Sequence, residues 1–220
     1  MQCASIFMLV IVWCVLHSAL MPVSATKYFQ KLLGPTVRFY RLFYNVVSAL
    51  TLIPVALYIS SARTEAFFHW TGYLRIIQAL FQATAVLLFL LGARRYDAAQ
   101  FLGLKQIRDK SARKGIADSG ELDTAGILSV MRHPWHLAAL LLIWTQPLDV
   151  ATILVNGLLT AYVLIGVHLE EGKLVKAFGE QYCAYQQTVS MLIPYKWLAS
   201  FMVKANMKPI NSEKRKGDNT

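Results

Sequence analysis

Apolar stretches at residues 1–21, 40–59, 72–92, 134–144 and 150–167 alternate with polar segments along the chain. The first three come close to the ~20 residues that an α-helix needs to cross a hydrocarbon core. The first carries Trp13, His17 and Ser18 and is followed by Val23-Ser24-Ala25, which has the small-residue form of a signal-peptidase site. No Lys or Arg precedes its apolar part, as one normally does in a cleaved signal peptide. A retained first transmembrane helix is therefore expected. Pro54 falls inside the second stretch, which a membrane helix tolerates when neighbours satisfy the freed carbonyl. In the third, Gln78 and Gln82 are one turn apart and share a face. That face is expected to point into the bundle, because an unpartnered amide in lipid is costly. The fourth and fifth stretches are short and flank Gln146-Pro147-Leu148-Asp149. They predict a helical hairpin broken at Pro147, its second helix ending near Glu170 and Glu171.

Composition sharpens this picture. Of 220 residues, 56% are hydrophobic and 15% charged, with a mean hydropathy of +0.44. Soluble domains are less apolar and carry about a quarter charged residues. The expected fold is an all-α, polytopic integral membrane helical bundle of about five membrane segments with a C-terminal helical hairpin. It divides into four regions: a three-span bundle at 1–93, a cytoplasmic loop at 94–131, the hairpin with its binding motifs at 132–195, and a basic tail at 196–220. Within the loop, Phe101-Leu102-Gly103-Leu104-Lys105-Gln106 predicts a short interfacial helix and 110–121 an exposed segment; the tail is expected to be disordered from Asn211.

The net charge of +10 sits in loops and tail, not on a basic helix with interleaved aromatics. That excludes a nucleic-acid reading and makes anionic membrane lipids the simpler partner. All of the 22 Lys and Arg except Arg63 and Arg75 fall on one side of the predicted spans. The bias makes that side cytoplasmic. It brings Arg132-His133-Pro134 and Glu170-Glu171 together at one face. Cys3, Cys14 and Cys183 have no disulfide-like or metal-like spacing, and Cys183 reads as a packing residue.

Ionisable residues at membrane depth are functional candidates by default. Arg132 and His133 supply a fixed and a tunable donor beside a proline suited to the first turn of a helix. Glu170 and Glu171 face them. The two pairs could simply neutralise each other, or could grip a zwitterionic ligand through guanidinium, imidazole and carboxylate, with Tyr182 and Tyr185 adding rings or hydroxyls. His133 and His136 have a spacing that could ligate a metal, but no carboxylate or third histidine matches it, and no metal is expected. No nucleophile elbow, phosphate loop or dinucleotide fingerprint is present. A transporter reading would rest only on His17 and the Gln78/Gln82 face, without paired inverted halves.

Arg132-His133-Pro134, Glu170-Glu171, Leu174, Phe178-Gly179, Tyr182, Tyr185, Val189 and Pro194 together resemble the superfamily of isoprenylcysteine carboxyl methyltransferase and the phospholipid methyltransferases. His17-Ser18, Tyr40-Arg41, Tyr44-Asn45 and Phe101-Leu102-Gly103-Leu104 are similar to its methanethiol S-methyltransferase and NnrU-like branch. The resemblance implies an S-adenosylmethionine-dependent enzyme acting on a small-molecule or lipid-like acceptor. It implies cofactor binding by Arg132, His133, Pro134, His136, Glu170, Glu171, Tyr182 and Tyr185. A neutral thiol acceptor would need a base, for which Glu171 and His17 are the candidates. Where the superfamily often has tyrosine and glycine after Arg-His-Pro, this chain has His136 and Ala138; glycine there would let backbone approach a ligand closely. The alternative is a non-catalytic NnrU-like membrane protein supporting assembly or maturation of a partner. Neither the acceptor nor the oligomeric state follows from the residues.

Overall fold

A computed structural model describes residues 2–19, 34–62, 64–95, 104, 107 and 122–206. Its long elements are helices: α1 (Gln2–Ala19), α2 (Tyr40–Ser61), α3 (Leu74–Ala93), α4 (Pro134–Trp144), α5 (Val150–Phe178), α6 (Glu180–Thr188) and α7 (Tyr195–Asn206). Short 3-10 turns cover Gly34–Phe39 and Gly126–Ser129. The fold is the expected all-α membrane bundle. Helices α2, α3 and α5 are long and apolar enough to cross a membrane, and α1 and α4 are shorter apolar helices. Many large apolar side chains, among them Phe43, Leu57, Leu80 and Ile165, face outward, as lipid contact requires. Of the expected interfacial helix, Leu104 is described and is helical. The Val23-Ser24-Ala25 segment, the 110–121 loop and the tail from Asn211 lie outside the described residues.

Two helix groups meet along α5. On one side Ile6, Val10 and Cys14 of α1 pack with Val55 of α2 and with Ala151 and Val155 of α5. Polar ties fix the directions. Trp13 donates to Thr51 at 3.2 Å, and His17 meets Tyr44 and Ser48, so α1 and α2 run antiparallel. Ser18 meets Tyr162 at 2.9 Å, at the corresponding level of α5. On the other side α3 packs against α4 through Ala85, Leu88 and Ala138. The Gln78 amide donates to the Thr145 carbonyl at 2.8 Å, so that glutamine does point into the bundle. Gly92 makes room for Trp135, whose indole N–H donates to the Phe89 carbonyl at 3.1 Å; a Cβ on Gly92 would lie 2.2 Å from the indole nitrogen.

The hairpin forms where predicted, but its second helix does not stop at the glutamates. Helix α5 continues through Phe178, because most residues from Leu169 to Ala177, Gly172 apart, are good helix formers after the apolar run ends. Glu170 and Glu171 therefore sit two turns inside it. The helix ends at Gly179, whose φ of +56° favours glycine, and α6 starts directly beyond. At its other end Asp149 caps α5, accepting from the Thr152 N–H at 2.6 Å and the Thr64 N–H at 2.9 Å. Leu148 pairs with Phe68, joining the 62–73 connection to the hairpin turn. These contacts put the ends of α1, α3 and α5 and the starts of α2 and α4 at one end of the bundle.

Candidate functional site

At that end the chain enters α4 through Met131-Arg132-His133. This segment lies beside Ser190 and Met191: the Arg132 N–H donates to the Ser190 carbonyl at 2.9 Å, and the His133 N–H to the Met191 carbonyl at 3.0 Å. Pro134 occupies the first turn of α4, where a missing N–H costs nothing. The backbone thus presents Arg132 and His133 to α5 and α6 from a pinned extended segment.

These side chains converge on Glu171. Its Oε1 accepts from Arg132 Nε at 2.7 Å and His133 Nε2 at 3.1 Å, with the Tyr182 hydroxyl at 3.4 Å. Its Oε2 accepts from the Gln186 amide at 2.8 Å. Arg132 Nη1 donates to the carbonyls of Gln186 and Val189. Arg132, His133 and Glu171 are all buried. Burying an ion pair is tolerated when its remaining hydrogen-bonding capacity is met, and here donors from α6 and the Arg-His segment meet it. Burial, and next the Glu171 charge, push the Tyr182 phenol well above the ordinary tyrosine range, so it stays a donor. The Tyr185 hydroxyl donates to the Leu128 carbonyl at 2.5 Å, and its ring packs edge-on against Tyr182.

The outer side of His133 differs. Its bond to Glu171 requires the proton on Nε2, which leaves Nδ1 as an acceptor in the neutral ring. Nδ1 faces Oε2 of Glu170 at 3.8 Å. The His136 ring stands edge-on to His133, with centroids 5.3 Å apart. Half of the Glu170 side chain is exposed, and His136 is half-buried. These three residues offer ligand atoms that all lie within 4.8 Å of one another. The histidine spacing alone contained no matching carboxylate; the facing helix supplies one.

The predicted site residues thus divide. Arg132, His133, Glu171, Tyr182 and, through its neighbours, Tyr185 belong to one buried network, with His136 and Glu170 at its rim. His17 belongs to another, formed with Tyr44, Ser48 and the stacked ring of Trp13. Tyr162, its neighbour on α5, precedes Glu171 by nine positions, about 13 Å of helix rise. Ala138 does not face the site; it is fully buried in the α3–α4 contact. Gln186 and Lys196 join the network without having been expected from the sequence. Gln186 lies one turn after Tyr182, a spacing that places both on one face of α6. Lys196 donates through Nζ to the carbonyls of Gln186 and Gln187 at 2.8 and 2.9 Å. A groove of about 470 Å³ between α1 and α2, lined by Leu9, Trp13, Thr51 and Pro54, is entirely separate from this network.

Comparison with known proteins gives the family. Methanethiol S-methyltransferases from a Pseudomonas species and from Pseudomonas deceptionensis are each 38% identical over 96 residues, covering 43% of this chain and 36% of the relative. Methanethiol S-methyltransferase 2 of Bradyrhizobium diazoefficiens is 32% identical over 128 residues, or 57% of this chain and 44% of the relative. The matched stretches thus span less than half the length of these curated relatives. No solved structure matches significantly. The model of the NnrU protein family matches residues 5–190, most of the chain and every side chain that bonds to Glu171, and the chain therefore belongs to the NnrU family.

Proposed function

We propose that this chain is an integral-membrane, S-adenosylmethionine-dependent methyltransferase acting on a small thiol or lipophilic acceptor, with its site and C-terminus on the cytoplasmic side. The observation that carries the proposal is the outer side of His133. A buried network fixes that ring, while its Nδ1 faces the half-exposed Glu170 beside the half-buried His136. The methanethiol S-methyltransferase relatives support the reaction class. The basic segments that leave the same end of the bundle support the sidedness.

S-adenosylmethionine supplies an electrophilic methyl group on a sulfonium. The residues at the rim suit its polar groups: a carboxylate for an ammonium or ribose hydroxyls, and imidazoles for hydroxyl or carboxylate oxygens. Arg132, whose guanidinium is engaged by Glu171 and two carbonyls, acts as a positioning residue behind His133. Methyl transfer is an in-line displacement, for which orientation and exclusion of water are the main contributions a protein makes. A pinned imidazole at the end of an apolar bundle suits that task.

The test is calorimetric titration of S-adenosylmethionine into the detergent-purified protein. Saturable binding is expected in the wild type. His133→Ala, which leaves the Arg132–Glu171 pair in place, is expected to weaken it at least tenfold. Well-folded protein without saturable binding overturns the proposal and favours a non-catalytic role in assembly or maturation of a partner.

A further inference from the structure

We propose that His133 Nδ1, His136 and Glu170 form a binding site for one divalent transition-metal ion, with an open position that takes a thiol as thiolate. The metal site rests on geometry alone, takes one atom from each residue, and leaves the second oxygen of Glu170 and the second ring nitrogen of His136 to the polar groups of S-adenosylmethionine. The choice of a thiol rests on the methyltransferase reading above.

Three observations converge on it. First, Nε2 of His133 is held by Glu171 at 3.1 Å. Nδ1, on the opposite side of the ring, faces the Glu170 carboxylate. Their 3.8 Å separation is too long for a shared proton. It is close to the ~3.4 Å that separates two ligand atoms bound tetrahedrally to zinc at ~2.0–2.1 Å. Second, His136 adds a third ligand atom within 4.8 Å of both. Closing to coordination distance needs shifts of about an ångström or less by each group, and the half-exposed Glu170 side chain has the freedom to make them. Third, a carboxylate behind a ligating imidazole is the usual means of fixing its tautomer and raising its basicity. Glu171 already holds that position behind His133, and is itself held by Arg132 and Gln186.

Two imidazoles and a carboxylate form a protein ligand set common in catalytic zinc sites, which keep a fourth position open. Soft sulfur ligands suit such an ion, and a coordinated thiol is deprotonated outright. On binding, the S–H proton leaves to solvent and the sulfur lone pair fills the open position. Activation of a thiol would then require neither His17 nor Glu171 as a base.

The full chain, purified in detergent without a histidine tag and stripped of adventitious metal, is titrated with cobalt(II) and then with ethanethiol. One equivalent of cobalt is expected to produce the intense visible bands of tetrahedral coordination, and ethanethiol to add a sulfur-to-cobalt charge-transfer band. His136→Ala and Glu170→Gln, checked for native melting, are each expected to weaken cobalt binding at least tenfold. Absence of saturable cobalt binding, or binding unchanged in both variants, overturns the site; cobalt binding without the ethanethiol band overturns the thiol ligand. S-adenosylmethionine titrated into the metal-free protein reads the methyltransferase proposal separately, so the two can fail independently.

Discussion

At the scale of single residues, Glu171 has consequences out of proportion to its size. Four side-chain donors converge on one carboxylate, and one of them is a buried guanidinium. Removing one member of a buried pair strands the other charge and typically costs about 3–5 kcal/mol. Glu171→Ala is therefore expected to lower the melting temperature of the purified protein sharply, whereas Glu170→Ala, on the exposed side of the same turn, leaves it within a degree or two. Equal effects of the two would show that the network does not hold the fold. Gly92 makes a different kind of claim. A methyl there would overlap the Trp135 indole, and overpacking of this kind costs about 1–3 kcal/mol. Gly92→Ala is expected to lower stability by that amount and to shift the tryptophan emission as the ring moves. At the surface, Arg95 pairs with Asp123 at 2.6 Å and holds its carboxyl below the usual range. A carboxyl whose pKa falls on folding favours the folded state above the ordinary carboxylate range, and this contribution is lost as pH falls through the lowered value. The tie between α3 and the segment before α4 is thus expected to loosen only in acid, which hydrogen exchange near Ala125 would track.

At the scale of elements, the apolar pattern located the spans within two or three residues, because lipid-facing helices must be apolar along their whole length. It placed the end of α5 wrongly for the same reason. The apolar run stops near Val167, but backbone hydrogen bonding continues wherever the residues favour helix, to Gly179. Pattern also singled out Arg132, His133 and Glu171, since charge beside long apolar runs is conspicuous. It set them facing one another across the hairpin, but it could not find their remaining partners. Gln186 is an ordinary amide in a polar stretch, and only the turn at Gly179 directs α6 back on to Glu171. Ala138 shows the converse: a residue next to the motif in sequence points towards α3. The cap at Asp149 offers an element-level test. It accepts from two backbone N–H groups, one in the 62–73 connection. Asp149→Ala loses the cap, typically worth ~0.5–2 kcal/mol, and also frees that connection. Limited proteolysis near Thr64 is expected to accelerate in the variant; an unchanged rate would show that Leu148–Phe68 pairing alone holds the segment.

At the scale of the whole molecule, α5 acts as a ruler. From Val150, where it begins, to Glu171 is 21 positions, or about 31 Å of rise. A hydrocarbon core is ~30 Å thick. With the start of α5 at one boundary of the membrane, the Glu171 network is at the other, level with the lipid headgroups. A polar ligand then reaches the site from water, while an apolar one arrives from the bilayer, where its concentration is set by partitioning. The amount of apolar ligand available to the protein therefore depends on how much lipid or detergent shares it. Added micelles dilute that ligand without changing its total quantity in the tube. Its apparent affinity should thus track its mole fraction in the micelles, weakening as detergent is added at constant ligand, while that of a water-borne ligand stays constant.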